Sequence, residues 1–148
     1  VHDDAVRAAI RDLGAVDMVD AGSATAAWDH VVDLPQWQGA PVWVHSDLLP
    51  GNLLARRGRL SAVIDFGCVG VGDPACDVMV AWTVLSGHSR GLFRESADID
   101  DTTWARGRGW ALAWGLMAEH HYRATNPALA SVGRRAVSEA LADCGLGA

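Results

Sequence analysis

The chain has 148 residues and a mass of 15.7 kDa; half its residues are hydrophobic and a fifth are charged, which fits one domain with its own core and excludes a disordered chain. Twelve basic residues against 18 acidic ones leave a formal charge of −6, and without a basic stripe the composition excludes a nucleic-acid binder. All twelve basic residues are Arg, and the sequence contains no Lys.

No apolar run approaches the roughly 20 residues of a membrane span, so no membrane partner is expected. No signal peptide is visible. Cys68, Cys76 and Cys144 have uninformative spacings and read as reduced thiols of a cytoplasmic protein. The chain opens on Val1 rather than Met, which leads us to expect sequence upstream.

Taken in order, Asp3 to Leu13 carries apolar residues near helical spacing and ends at Gly14. A second helix is predicted from Ser23 to Val32, with Ser23 as N-cap. Val42-Trp43-Val44 reads as a short buried strand. Leu53–Ala55 and Leu60–Ile64 flank Arg56-Arg57-Gly58-Arg59 and read as a hairpin. Gly67 to Gly72 reads as irregular. Asp73-Pro74 opens a helix expected to run to Ser86-Gly87, with Asp73 as its N-cap. Helices are then predicted over Arg90–Ser96, Thr102–Thr125 and Asn126–Asp143. In the long one, Trp110, Trp114, Met117 and His121 share a face, which reads as core packing. The expected fold class is α+β and mainly α, a helical body carrying one small β-hairpin.

Polar residues stand at the ends of that hairpin. His45-Ser46-Asp47 leaves the first strand, Asn52 starts the hairpin, and Asp65-Phe66-Gly67 ends it. Asp and Asn favour turns, so each alone is an ordinary turn residue. Together, with a turn centred near Gly58, Asn52 and Asp65 face each other across the ladder and Asp47 joins them. Two carboxylates and an amide oxygen are hard donors suited to Mg²⁺ shared with phosphates.

H-x-D-x-x-x-x-N followed by D-F-G is the motif pair of kinases. The stretch VWVHSDLLPGNLLARRGRLSAVIDFGCVGVGDPACDVMVAW, Val42 to Trp82, resembles the central block of the aminoglycoside phosphotransferase family of kinase-like enzymes. The helical sequence around Trp104 to Ala111 is similar to members of that family as well. The resemblance implies the C-terminal lobe of a protein-kinase-like fold. It implies that Asp47 is the catalytic residue that orients the acceptor hydroxyl. It assigns Asn52 and Asp65 to Mg²⁺, His45 to the catalytic loop's support, and Asp77 to bracing the loop backbone. The phosphoryl donor would be ATP or another nucleoside triphosphate.

Two positions depart from the family pattern. Ser46 stands where Gly is common, and Leu49 stands where His is frequent and protein kinases often carry Lys. Only seven residues separate Asp65 from Asp73, too few for the peptide platform of a protein kinase, so a small-molecule acceptor is expected. The acidic balance favours an aminoglycoside-like cation. Asp98, Asp100 and Asp101 would form an acidic rim for its ammonium groups, or else a solvated loop and a helix cap. Glu119 and His121 would reach the ligand if their helix walls the pocket.

A kinase-like enzyme also needs a nucleotide-binding lobe with a Gly-rich loop and a strand Lys. Neither precedes His45, and Arg does not replace a Lys point charge. We therefore expect residues 1–148 to be a single C-terminal lobe, partnered by the missing N-terminal lobe and inactive alone. Self-association through the uncovered face is the other expectation for that surface. A non-catalytic binding domain is the rival reading. Choline, homoserine, sugar and macrolide kinases share the same block and remain open as acceptor classes.

Overall fold

In a computed structural model, residues 3–145 are described. The chain runs α1 (Asp3–Gly14), α2 (Ala21–Val32), β1 (Val42–Val44), β2 (Leu53–Arg56), β3 (Arg59–Val63) and β4 (Gly70–Gly72). Helices α3 (Ala75–Val78), α4 (Val80–Thr83), α5 (Gly87–Ser96), α6 (Asp101–Tyr122) and α7 (Pro127–Asp143) follow. The architecture is the mainly helical α+β arrangement expected, with two small antiparallel sheets, β1–β4 and β2–β3.

The core lies among the helices. Val6, Leu13, Trp82, Leu112 and Leu116 are almost wholly buried there. Helices α6 and α7 touch through a pair of glycines: a Cβ on Gly115 would sit 2.7 Å from the Gly133 carbonyl, and one on Gly133 2.8 Å from the Gly115 carbonyl. Two helix backbones approach this closely only where both lack a side chain. The tight side of α6 therefore belongs to Gly107, Ala111, Gly115 and Ala118. Trp110, Trp114 and Met117 are turned about 100° away from that side and stay half-buried, and His121 is exposed. Trp110 and Trp114 still pack against the core, but from its flank rather than its centre.

Local chemistry accounts for the other departures. The cap of α2 is Asp20, whose carboxylate accepts the Ser23 amide at 2.8 Å, so the helix starts before Ser23. The helix after Asp73 does not run unbroken to Ser86. It divides at Met79, where the Trp82 amide bonds only three residues back. The β-branched Val78, Val80, Thr83 and Val84 weaken it, and the Thr83 hydroxyl bonds the Met79 carbonyl. Arg135 then covers the freed carbonyls of Val84 and Leu85.

Gly70–Gly72, expected as irregular, is a strand that pairs Val42 with Gly72 and Val44 with Gly70. Of β1 only Val44 is buried, and Trp43 is 76% exposed, so β1 is not the buried strand its composition indicates. The hairpin forms as expected. Arg57 and Gly58 both have positive φ, 53° and 75°, as a two-residue turn of matching twist requires. A bulge between Leu54 and Ala55 shifts the register by one residue.

Candidate functional site

The bulge places Asn52 opposite Ile64, whose amide donates to the Asn52 carbonyl at 3.0 Å. Asp65 is therefore one residue beyond Asn52's partner rather than directly across from it. A 3-10 turn over Pro50–Asn52 carries Asn52 into β2, and a second over Phe66–Cys68 follows Asp65. Pairing of β1 with β4 brings the segment leaving Val44 beside the segment leaving Asp65.

His45 joins the two segments. Its ring is buried, its Nε2 lies 3.0 Å from the Ile64 carbonyl, and its Nδ1 accepts the Asp47 amide at 3.3 Å. With Nδ1 as the acceptor, Nε2 is the nitrogen placed to donate to the carbonyl. The Phe66 ring meets His45 edge-on at 4.8 Å. Asp77 reaches the same loop from α3. One carboxylate oxygen accepts the His45 amide and the other the Ser46 amide, both at 2.8 Å. A carboxylate bonded to two consecutive amides fixes a loop more firmly than neutral contacts do. Ser46 has φ of 66°, the left-handed region that favours Gly, so its loop conformation is one that a Ser adopts at a cost. Its hydroxyl lies against Cys76, whose thiol is pushed up chiefly by burial.

The brace presents Asp47. Its Oδ2 accepts the Asn52 amide at 2.7 Å, and its backbone carbonyl accepts the same amide group at 2.9 Å. Oδ1 has no partner among the described residues and is free to take a hydroxyl proton. Both amide hydrogens of Asn52 are used, so its Oδ1 is left as a bare hard donor. Asp65, with φ of 60°, bonds the Gly67 amide at 3.4 Å through one oxygen and leaves the other exposed. Among the described residues no three His, Cys, Asp or Glu side chains form a metal cluster. The residues that would hold Mg²⁺ are therefore Asn52, through its amide oxygen, and Asp65, through a carboxylate oxygen, two hard donors whose remaining partners would be phosphate oxygens and water.

Asp47 and Asn52 open onto a cavity of about 600 Å³ lined also by Leu49, Pro50, Gly51, Trp114, Tyr122, Asn126, Ala128, Leu129 and Val132. Trp114 thus reaches the site from the flank of α6, as the pocket-wall alternative to core packing has it. Tyr122 and Leu129 had no sequence signal of their own, and Asn126 was expected only at the start of the last helix; the α6–α7 turn places all three here.

The other nominated residues stand elsewhere. Glu119 is buried and both its oxygens accept Arg134 Nη1 at 2.8 Å; it lines a different cavity with Leu13, Met18 and Leu141. His121 is exposed with its ring against Tyr122, and neither it nor Glu119 lines the Asp47 cavity. Asp100 caps α6, accepting the Thr102 and Thr103 amides at 2.9 and 2.8 Å. The Thr103 hydroxyl is the main cause holding its carboxyl below the usual range. Asp101 pairs with Arg94. Asp98 is exposed in the turn before α6, with φ of 50°. These three lie outside the Asp47 cavity. Asp73 bonds the Ala75 amide at 2.9 Å, as a cap does, and pairs with Arg106 at 2.7 Å.

The phosphotransferase enzyme family (APH) matches residues 2–110, and the chain belongs to that family. Its members are kinase-type transferases, and this chain carries the family's pattern from Val42 through Asp77. Among solved structures it is similar to a thermostable mutant of aminoglycoside phosphotransferase APH(4)-Ia in ternary complex with AMP-PNP and hygromycin B. The two are 23% identical with a TM-score of 0.54, and the match covers 96% of this chain and 52% of that one. At this identity the likeness is one of fold, the kinase-like phosphotransferase fold. The chain spans about half the length of that neighbour. No curated protein matches the chain. No helix among the described residues is long and apolar enough to cross a membrane.

Proposed function

We propose that this chain is the catalytic, acceptor-binding C-terminal lobe of an O-phosphotransferase that moves the γ-phosphate of ATP to a hydroxyl of a small molecule. The observation that carries the reading is Asp47 itself. Its loop is fixed by Asp77, its Oδ2 is held by Asn52 while Oδ1 has no partner among the described residues, and the residue lines a cavity large enough for a small molecule. A carboxylate so fixed orients an attacking hydroxyl and accepts its proton as the oxygen–phosphorus bond forms. Asn52 and Asp65 would hold Mg²⁺, which when bound neutralises charge on the donor's phosphates. His45 keeps the loop and the Asp65 turn in register. The solved neighbour holds a nucleotide together with hygromycin B, which supports a nucleotide donor and a small-molecule acceptor for this chain too.

The reading includes a second half that supplies the nucleotide's other contacts. The chain has no Lys to pair with the donor's phosphates. Leu54, Leu60, Phe66, Val69 and Val71, on and around the strands, expose apolar surface that such a half would cover. An aminoglycoside-like polycation gains no support from Asp98, Asp100 or Asp101, whose places lie outside the cavity.

The test joins the chain to a nucleotide-binding half of the kind this reading requires and follows phosphate transfer from ATP. Asp47→Ala is expected to lower the turnover by about 10²–10⁴-fold, the range for losing a positioned base. The 148-residue chain alone is expected to be silent. Unchanged turnover in Asp47→Ala overturns the assignment.

A further inference from the structure

The residues around Asp47 narrow the acceptor beyond the reaction class. Of the eleven residues lining the cavity, Asp47 alone carries a formal charge. Asn52, Asn126 and Tyr122 add neutral polar groups, and the rest of the wall is apolar or aromatic. Asn126 spends its carbonyl oxygen on the Leu129 amide at 3.1 Å, so only its amide hydrogens face a ligand. The Tyr122 hydroxyl and the Trp114 indole N–H have no hydrogen-bond partner among the described residues, and both side chains are half-buried. Leu49 is buried in the cavity wall and brings no charge to it.

This wall suits some ligands and penalises others. A polycation entering it would strip water from several ammonium groups, and a single carboxylate could compensate one of them. Each uncompensated charge costs several kcal/mol as it leaves water. A ring with few charges incurs no such cost. Its apolar face gains on the Trp114 and Tyr122 rings, and its hydroxyls can meet Asn126, Tyr122 and Asp47. We infer that the acceptor is an uncharged ring alcohol, such as a glycoside, laid on Trp114 and Tyr122 with one hydroxyl turned to Asp47. Trp114 and Tyr122 are then specificity residues for the reaction. The inference rests on the phosphotransfer reading for the role of that hydroxyl, while the binding preference is measurable without any transfer.

The experiment uses the 148-residue chain with two probes, phenyl β-D-glucopyranoside and kanamycin, titrated at physiological salt. Saturation-transfer NMR and tryptophan fluorescence report binding. The glucoside is expected to bind within about 10 mM and kanamycin at least about tenfold more weakly. Trp114→Ala and Tyr122→Ala are each expected to weaken the glucoside about fivefold, the size of one lost aromatic stack, and to leave kanamycin unchanged. Thermal melts check that each variant is folded, and Tyr122→Ala, at the end of α6, serves if Trp114→Ala does not fold. Kanamycin binding as tightly as the glucoside, no glucoside binding, or glucoside binding indifferent to a folded variant each overturns the acceptor class. Those results leave the Asp47→Ala transfer assay untouched. Conversely, full transfer by Asp47→Ala beside selective glucoside binding overturns phosphotransfer through Asp47 alone.

Discussion

The helical body and the stranded segment of this chain solve opposite problems. Helices α1, α2, α6 and α7, with the short α3 and α4, close on one dry core in which Val6, Trp82, Leu112 and Leu116 have almost no exposure. The strands contribute little to it. Their backbones are paired, yet Trp43, Leu54, Leu60, Phe66 and Val71 remain well exposed. The polar brace from Asp77 to the His45 and Ser46 amides, together with buried Leu49, ties the loop that carries Asp47 to the body. Stability is thus concentrated in one region and candidate chemistry in the other, a division common where binding loops sit on a rigid scaffold.

Substitutions at four depths separate the two regions. The largest stability effect is expected in the body. Leu116→Ala removes a fully buried side chain between α6 and its neighbours and should cost about 3–4 kcal/mol in urea unfolding. A loss below about 1 kcal/mol there would place the core elsewhere.

Asp77→Ala comes next. It leaves two amides without acceptors, which should cost about 2–3 kcal/mol, and it should also depress phosphate transfer in the joined protein. A stability loss with full transfer would show that the brace serves folding only.

A smaller effect is expected in acid. The carboxyls of Asp100 and of Asp3 are both held below their ordinary range, Asp3 chiefly by the Trp28 indole N–H. Their folded-state pKa is below the unfolded one, so their contribution is complete above the unfolded value. It is lost as pH falls through the folded value. Asp100→Asn keeps a cap acceptor but removes the titration, and urea midpoints measured downward from pH 6 should then fall less steeply. An unchanged slope would remove Asp100 from the account. The smallest effect is expected on the strands, where Leu60→Ser, at a site 64% exposed, should stay within about 0.5 kcal/mol.

How much of this was legible depended on whether the signal was local. Several caps were readable, because Asp73, Asn126 and the residues around Asp100 act on amides two or three positions away, whereas the Ser86 cap of α5 was not. For α2 the expected cap, Ser23, is not the one used: Asp20, three residues earlier, caps the helix. The site motif was legible as spacing: His45, Asp47, Asn52, Asp65 and Asp77 lie in one short stretch, and the hairpin turn at Arg57-Gly58 had a sequence signal. The order of hairpin pairing was not, because the bulge beside Leu54 depends on the whole ladder.

By itself, then, the sequence determined the helices, the hairpin and the family, through apolar periodicity, turn chemistry and one dense motif. Tertiary structure decided which face of α6 is core. Gly115 and Gly133 bring two backbones into contact, so the bulky Trp114 is displaced toward Asp47. It also decided that Glu119 pairs with Arg134 and that Asp101 pairs with Arg94, rather than either lining the Asp47 cavity. Composition counts charges, but a cavity's polarity depends on which side chains the packing of distant segments turns inward.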